Sequence, residues 1–212
     1  MIKPVGSDEL KPLFVYDPDQ HHQLMHEAES LPSVTISSQA AGNAVMMGGG
    51  YFSPLTGFMN VADAMGACGS MRMTDGKFFP VPVMCLLENV DAIKDAKRIA
   101  LRDPNMEGQP VLAVMNVEAI EEVSDEQMAF MTDKVYRTDD KEHPGVKAFN
   151  TQGRFAVSGP IQVLHFSYFQ DDFPDTFRTA VEIRNEISER GWSKIVAFQT
   201  RNPMHLAHEE LY

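Results

Sequence analysis

The chain has 212 residues, with 18 basic and 30 acidic side chains and a net charge of −12. That balance argues against a nucleic-acid surface and against attraction to anionic membranes. No apolar run approaches the ~20 residues of a membrane span, and Met1-Ile2-Lys3-Pro4 lacks a signal-peptide core, so a cytoplasmic location is expected.

The first ~170 residues suffice for one independent core and read as mixed, with strands predominating. Asp17-Pro18 opens a helix through about Glu29. His22 and His26, with His21 beside them, have metal-ligand spacing, but Gln23 stands where a zinc protease needs glutamate, so a surface helix face is expected. Gly48-Gly49-Gly50 lacks a following Gly-Lys-Ser/Thr and reads as a turn rather than a phosphate loop. In Gly50 to Met59, Ser53-Pro54 and Thr56-Gly57 punctuate a turn packed by Phe52, Leu55 and Phe58. Cys68 and Cys85 have no metal-ligand spacing and read as buried thiols in a reducing compartment. The methionines, including Met46, Met47, Met71 and Met73, read as adaptable core filling. Strands are expected at Val81 to Leu87, Val111 to Val114 and Ile161 to Phe169, separated by Gly108, Pro110, Gly145, Gly153 and Pro160. Ser124-Asp125-Glu126-Gln127 has capping-box form ahead of Met128 and Phe130.

A boundary is expected in Gln170-Asp171-Asp172-Phe173-Pro174-Asp175, dividing the chain into 1–171 and 172–212. Beyond it, Phe177, Ala180, Val181 and Ile187 mark an apolar helix face, with Arg178 and Glu182 exposed and Gly191 as a stop. Ile195-Val196-Ala197-Phe198 reads as a strand buried on both faces of a parallel sheet, onto which that helix packs. Asn202 as N-cap and Pro203 at the first helical position then start a helix that puts His205 and His208 on one face. Free backbone N–H groups, the helix dipole and the forked guanidinium of Arg201 make this an anion cradle. Charge does not oppose that reading: from Phe177 to Tyr212 there are five basic and five acidic residues. A bare H-x-x-H is more often two solvent-facing histidines, with Arg201 paired to Glu209 or Glu210.

The ten-residue context separates these readings. Gln199-Thr200-Arg201-Asn202-Pro203-Met204-His205-Leu206-Ala207-His208 resembles the Q-x-R-N-P-x-H-x-x-H signature of the ATP sulfurylase (sulfate adenylyltransferase) family. Gly50 to Met59 resembles the family's G-x-F-S-P-L-x-G-F-M segment, while His143-Pro144-Gly145-Val146 and Ser158-Gly159-Pro160 resemble later turns of its N-terminal domain. The resemblance implies an α+β N-terminal PUA-like β-barrel domain over 1–171, followed at 172–212 by the start of an α/β Rossmann-like nucleotidyltransferase domain. It implies reversible joining of ATP and sulfate to give adenosine 5′-phosphosulfate and pyrophosphate. Gln199 and Arg201 would contact sulfate, Thr200, Arg201 and Asn202 would form the central catalytic group, and His205 and His208 would stabilise the transition state. All six would also contact nucleotide. Mg²⁺ is expected to travel with ATP rather than occupy a protein metal site, and the assembly is expected to be a homo-oligomer.

Leu206 stands where family members often carry a basic residue, and helical geometry gives it a packing role. The segment from about Phe177 is short for a doubly wound fold, and the family's Gly-Arg-Asp-His nucleotide segment is absent, so the nucleotidyltransferase domain is expected to be incomplete. Because PUA-like modules in other proteins bind RNA, a non-catalytic binding or oligomerisation module is the alternative function.

Overall fold

A computed structural model describes residue 4, residues 7–200 and residues 203–210. Its elements in chain order are α1 (Pro18–Ala28), β1 (Ser33–Thr35), α2 (Ser38–Gly48), β2 (Gly57–Phe58), α3 (Val61–Ser70), β3 (Cys85–Leu87), β4 (Arg98–Arg102), β5 (Val111–Asn116), β6 (Ala119–Glu122), α4 (Asp125–Tyr136), α5 (Pro144–Asn150), β7 (Phe155–Val163), α6 (Phe169–Asp172), α7 (Ala180–Glu189) and α8 (Leu206–Glu209). Helices therefore hold more residues than strands, which corrects the expected predominance of strands.

Helix starts follow side-chain capping. Asp17 accepts from Gln20 N at 2.8 Å with Pro18 at the first turn of α1, and Ser124 and Gln127 close a capping box on α4, as their sequences predict. The helices α2 and α3 were not foreseen. Both are rich in Ala, Gly and Met, so neither shows a strong polar-apolar contrast. Ala40, Ala41 and Ala44 of α2 are fully buried, and small side chains let this helix lie close to β7. A Cβ on Gly48 would stand 2.9 Å from Val163 Cγ1.

The seven strands form one curled sheet in the order β1-β4-β5-β7-β2, with β3 and β6 also pairing with β7. Only the β1–β4 pairing is parallel among these ladders. Two expected strands are misplaced. The first keeps only Cys85–Leu87, and the last runs over Phe155–Val163 rather than Ile161 to Phe169. Ser158-Gly159-Pro160, read as a turn, lies inside β7, where Gly159 has φ +140°. That glycine bends the strand so that its first half pairs with β3 and β6 and its second half with β5. Its missing side chain is required there, because a Cβ would come within 2.0 Å of Asn116 O.

The main core lies between this sheet and α2, α3 and α4, with Ile99, Leu101, Leu112, Met115 and Met131 fully buried. Phe52 packs edge-on against Phe79 and Leu55 and Phe58 are buried, so the 50–59 segment is anchored as its sequence indicates. Of the four methionines singled out, Met47 is core and Met73 packs against it, while Met71 is exposed. His22 and His26 are exposed and His21 is half-buried. Among the described residues no helix is long and apolar enough to cross a membrane.

Candidate functional site

The segment carrying the motif leaves the sheet through an aromatic cluster. Phe166 stacks on Phe14 at 4.5 Å and meets Phe177 at 5.3 Å, while Phe169 meets Phe177 at 6.0 Å. Phe177 and Arg178 thus precede α7 rather than belonging to its face. The helix starts at Thr179, whose hydroxyl accepts from Glu182 N at 3.2 Å while Glu182 Oε2 accepts from Thr179 N at 2.7 Å. The Thr179 backbone bond first, and then the Thr179 hydroxyl donating to Glu182 Oε2 at 2.8 Å, hold the Glu182 carboxyl below its ordinary value. Ala180 N donates to Gly49 O at 2.9 Å and Tyr51 Oη donates to Arg178 O at 2.6 Å, tying α7 to the glycine turn after α2. Gly191, with φ +66°, ends the helical segment as predicted.

Between α7 and the 50–53 turn lies an open, mostly apolar groove of about 900 Å³, walled by Tyr51, Ile183, Ile187, Trp192 and Ile195. Arg190 pairs with Glu186 at 2.6 Å and lies over the Trp192 ring at 4.8 Å.

The expected strand Ile195–Phe198 does not form. Residues 193–200 have no regular secondary structure except a bend, and Val196 is 95% exposed. A parallel strand needs a neighbour to satisfy its backbone and a cover for each face. Among the described residues no strand pairs with this segment, and α7 packs on the glycine turn instead of on a sheet begun by Ile195.

The helix expected from Pro203 begins three residues later, at Leu206, with His205 as its N-cap. His205 N donates to His208 Nδ1 at 3.2 Å, and His208 N and Glu209 N both donate to His205 O, at 2.8 and 3.3 Å. The described helix is a single turn, and the His208 N–H, one of the amides expected in the anion cradle, already bonds within that turn. The two histidines are nevertheless together, with ring centroids 4.0 Å apart, and the Phe198 ring stands edge-on to His208 at 5.8 Å. Phe198, read only as part of a strand, is the neighbour that the sequence reading missed. Gln199 is exposed and Thr200 half-buried. Arg201 and Asn202 lie outside the described residues, as do the expected N-cap and the guanidinium clamp. Leu206 is 78% exposed, contrary to its expected packing role.

Cys85 is buried and Cys68 half-buried, and burial pushes their thiols up to about 12 and about 11. No group of three His, Cys, Asp or Glu side chains is arranged to hold a metal ion among the described residues.

Comparison with known families accounts for both parts of this architecture. A PUA-like domain model matches residues 2–166. The chain belongs to the PUA-like domain family. Past that PUA-like domain, the ATP-sulfurylase family model matches residues 174–212, the segment that contains α7 and the paired histidines. Over its full length the PUA-like chain is 75% identical to a sulfate adenylyltransferase of Allochromatium vinosum and 78% identical to one from the Riftia pachyptila sulfur-oxidizing endosymbiont. It covers 53% and 48% of those two proteins, so the chain spans about half the length of the curated relatives it matches. A solved structure described as a hexameric APS kinase from Thiobacillus denitrificans matches all of this chain and 36% of its own, with a TM-score of 0.73 and 28% identity. The resemblance read from the motifs, to the N-terminal portion of ATP sulfurylase, is therefore the one that independent comparison returns.

Proposed function

We propose that the chain is the N-terminal portion of a sulfate adenylyltransferase, with residues 1–171 as the PUA-like domain and 172–212 as the beginning of the catalytic domain. The observation that carries this reading is the Gln199 to His208 motif, lying within the segment that matches ATP-sulfurylase. In the reaction, a sulfate oxygen attacks the α-phosphorus of ATP and the bond to pyrophosphate breaks in line with it. Sulfate is already a dianion at neutral pH and needs no general base. The protein's task is to hold two anions in line and offset their repulsion, which is catalysis by positioning and electrostatics.

Each motif residue has a part in that task. Gln199 and Arg201 hold sulfate, the latter through two parallel hydrogen bonds. Thr200, Arg201 and Asn202 form the central catalytic group, and His205 and His208 stabilise the charge that builds on the phosphate oxygens. All six contact the nucleotide. The 4.0 Å approach of the two imidazoles supports their acting together. Arriving phosphates favour imidazolium, so histidine protonation is coupled to nucleotide binding. Mg²⁺ arrives with the ATP phosphates. The protein works in the cytoplasm as a homo-oligomer, a state in keeping with the hexamer named for the structural relative. In a protein that carries the rest of the catalytic domain, His208→Ala and Arg201→Ala are each expected to slow turnover on the order of 10²-fold or more. Near-native rates in both would overturn the assigned roles.

The apolar groove beside α7 favours a second reading, a non-catalytic binding or oligomerisation module. The net charge of −12 counts against RNA as its ligand. Saturable binding of an ATP analogue supports the enzyme; salt-sensitive RNA binding, or self-association without nucleotide binding, supports the module.

A further inference from the structure

The turn that carries the chain out of the sheet, Leu164 to Ser167, is held by two histidines, His21 of α1 and His165 of the turn itself. His21 Nε2 donates to Leu164 O at 2.7 Å, while His165 Nδ1 accepts from Ser167 N at 2.9 Å. Ser167 is buried and has φ +57°, a left-handed conformation that costs a β-carbon residue energy unless its surroundings hold it. The acceptor on His165 is one of those supports. Between them, Phe166 is buried in the aromatic cluster that carries Phe177 and leads to α7.

The Ser167 bond assigns the His165 tautomer. Nδ1 accepts, so the ring is neutral with its proton on Nε2. That nitrogen is buried with no well-formed hydrogen bond, and the Val111 backbone, a weaker hydrogen-bonding neighbour of the ring, favours its charged form. Asp103, wholly buried after β4, likewise has an unpartnered Oδ2, its Oδ1 accepting from Asn105 N at 2.9 Å. The charged and titratable groups around His165 are Asp103, Asp171 of α6 and His21 of α1.

We propose that His165 is a proton-sensitive latch at the exit of the PUA-like domain, which holds the 164–167 turn when neutral and releases it when protonated. Protonation places a hydrogen on Nδ1, turning the acceptor for Ser167 N–H into a donor that faces another donor. The bond is lost, Ser167 keeps an unfavourable backbone with less to hold it, and the imidazolium is drawn toward Asp103 and Asp171. Loosening is transmitted through Phe166 and Phe177 to the docking of α7 on Gly49. Burial keeps the His165 pKa below its ordinary 6.5, opposed by Asp103 and then Asp171. A histidine with a lowered folded pKa contributes its full stability above 6.5 and loses it progressively as pH falls from 6.5 to the folded value, so the latch opens on the acid side.

Amide hydrogen exchange over residues 164–180, corrected for the intrinsic pH dependence, tests this between pH 7.5 and 5. In the native chain the opening constant is expected to rise as pH falls below 6.5, by up to about tenfold per pH unit, and to level off once pH passes below the folded His165 transition, the signature of one proton. His165→Asn offers a side-chain oxygen that can accept the same i to i+2 bond without titrating, and should abolish the rise while keeping protection at pH 7.5. His21→Gln retains a donor for Leu164 O and should leave the rise intact. A rise that persists in His165→Asn, or its absence in the native chain, would overturn the proposal. So would an NMR titration placing the His165 ring transition at or above 6.5.

Discussion

Replacing Phe166 by alanine tests whether the aromatic cluster at the domain exit is an integral part of the core. Phe166 is 2% exposed, stacked on Phe14 at 4.5 Å and tilted against Phe177 at 5.3 Å. Burying such a ring and leaving a hole on its removal typically costs about 3–5 kcal/mol. The neighbouring wall cannot collapse far, because part of it is Gly48 backbone, whose hypothetical Cβ would lie 3.3 Å from Phe166 Cε1. The loss should therefore fall in the upper part of that range. Against a total stability of about 5–15 kcal/mol it is a large fraction. For a chain of this length it lowers Tm by roughly 6–20 °C, at about 2–4 °C per kcal/mol. Urea unfolding and calorimetry of the native and variant chains measure both quantities, and amide exchange in α7 should rise with them. A destabilisation below about 1.5 kcal/mol with α7 unchanged would refute the reasoning, since it would fall well short of a filled aromatic site.

Gly159→Ala should destabilise by more than about 3 kcal/mol or prevent folding, because φ +140° is strained for alanine and a Cβ 2.0 Å from Asn116 O would drive β7, the strand that joins both halves of the sheet, against the backbone of β5; a native Tm would contradict the strand assignment. The raised thiols of Cys85 and Cys68 predict little thiolate at pH 8, with Cys85 reacting with a disulfide reagent only on unfolding and Cys68 more slowly than a free thiol. Immediate labelling of both in the native chain would show that they are not shielded.

The sequence was most legible where local chemistry decides structure. Asp17-Pro18, Ser124 with Gln127, and Gly191 each specify a helix end through their own side chains or backbone freedom, and each is found in place. Legibility failed where the deciding contact is distant. The Ala-Gly-Met helices α2 and α3 are defined by close approach to the sheet and to other helices, which no periodicity reports. Gly159 and Pro160 look like punctuation, yet in β7 they make a bend between two sets of partners. In the candidate site the pairing of His205 with His208 was readable from spacing, whereas the helix start was not, because His205 rather than Asn202 caps the described turn. Ile195 to Phe198 has the composition of a buried strand, but composition describes a segment's needs and not its neighbours.

The most direct test of the central claim is formation of ATP from adenosine 5′-phosphosulfate and pyrophosphate, followed with luciferase, in the protein extended to the length of its relatives. Adenylyl transfer through Gln199 to His208 predicts steady ATP production that requires both substrates. A folded, extended protein that forms no ATP would contradict the assignment and leave the PUA-like chain as a binding or assembly module.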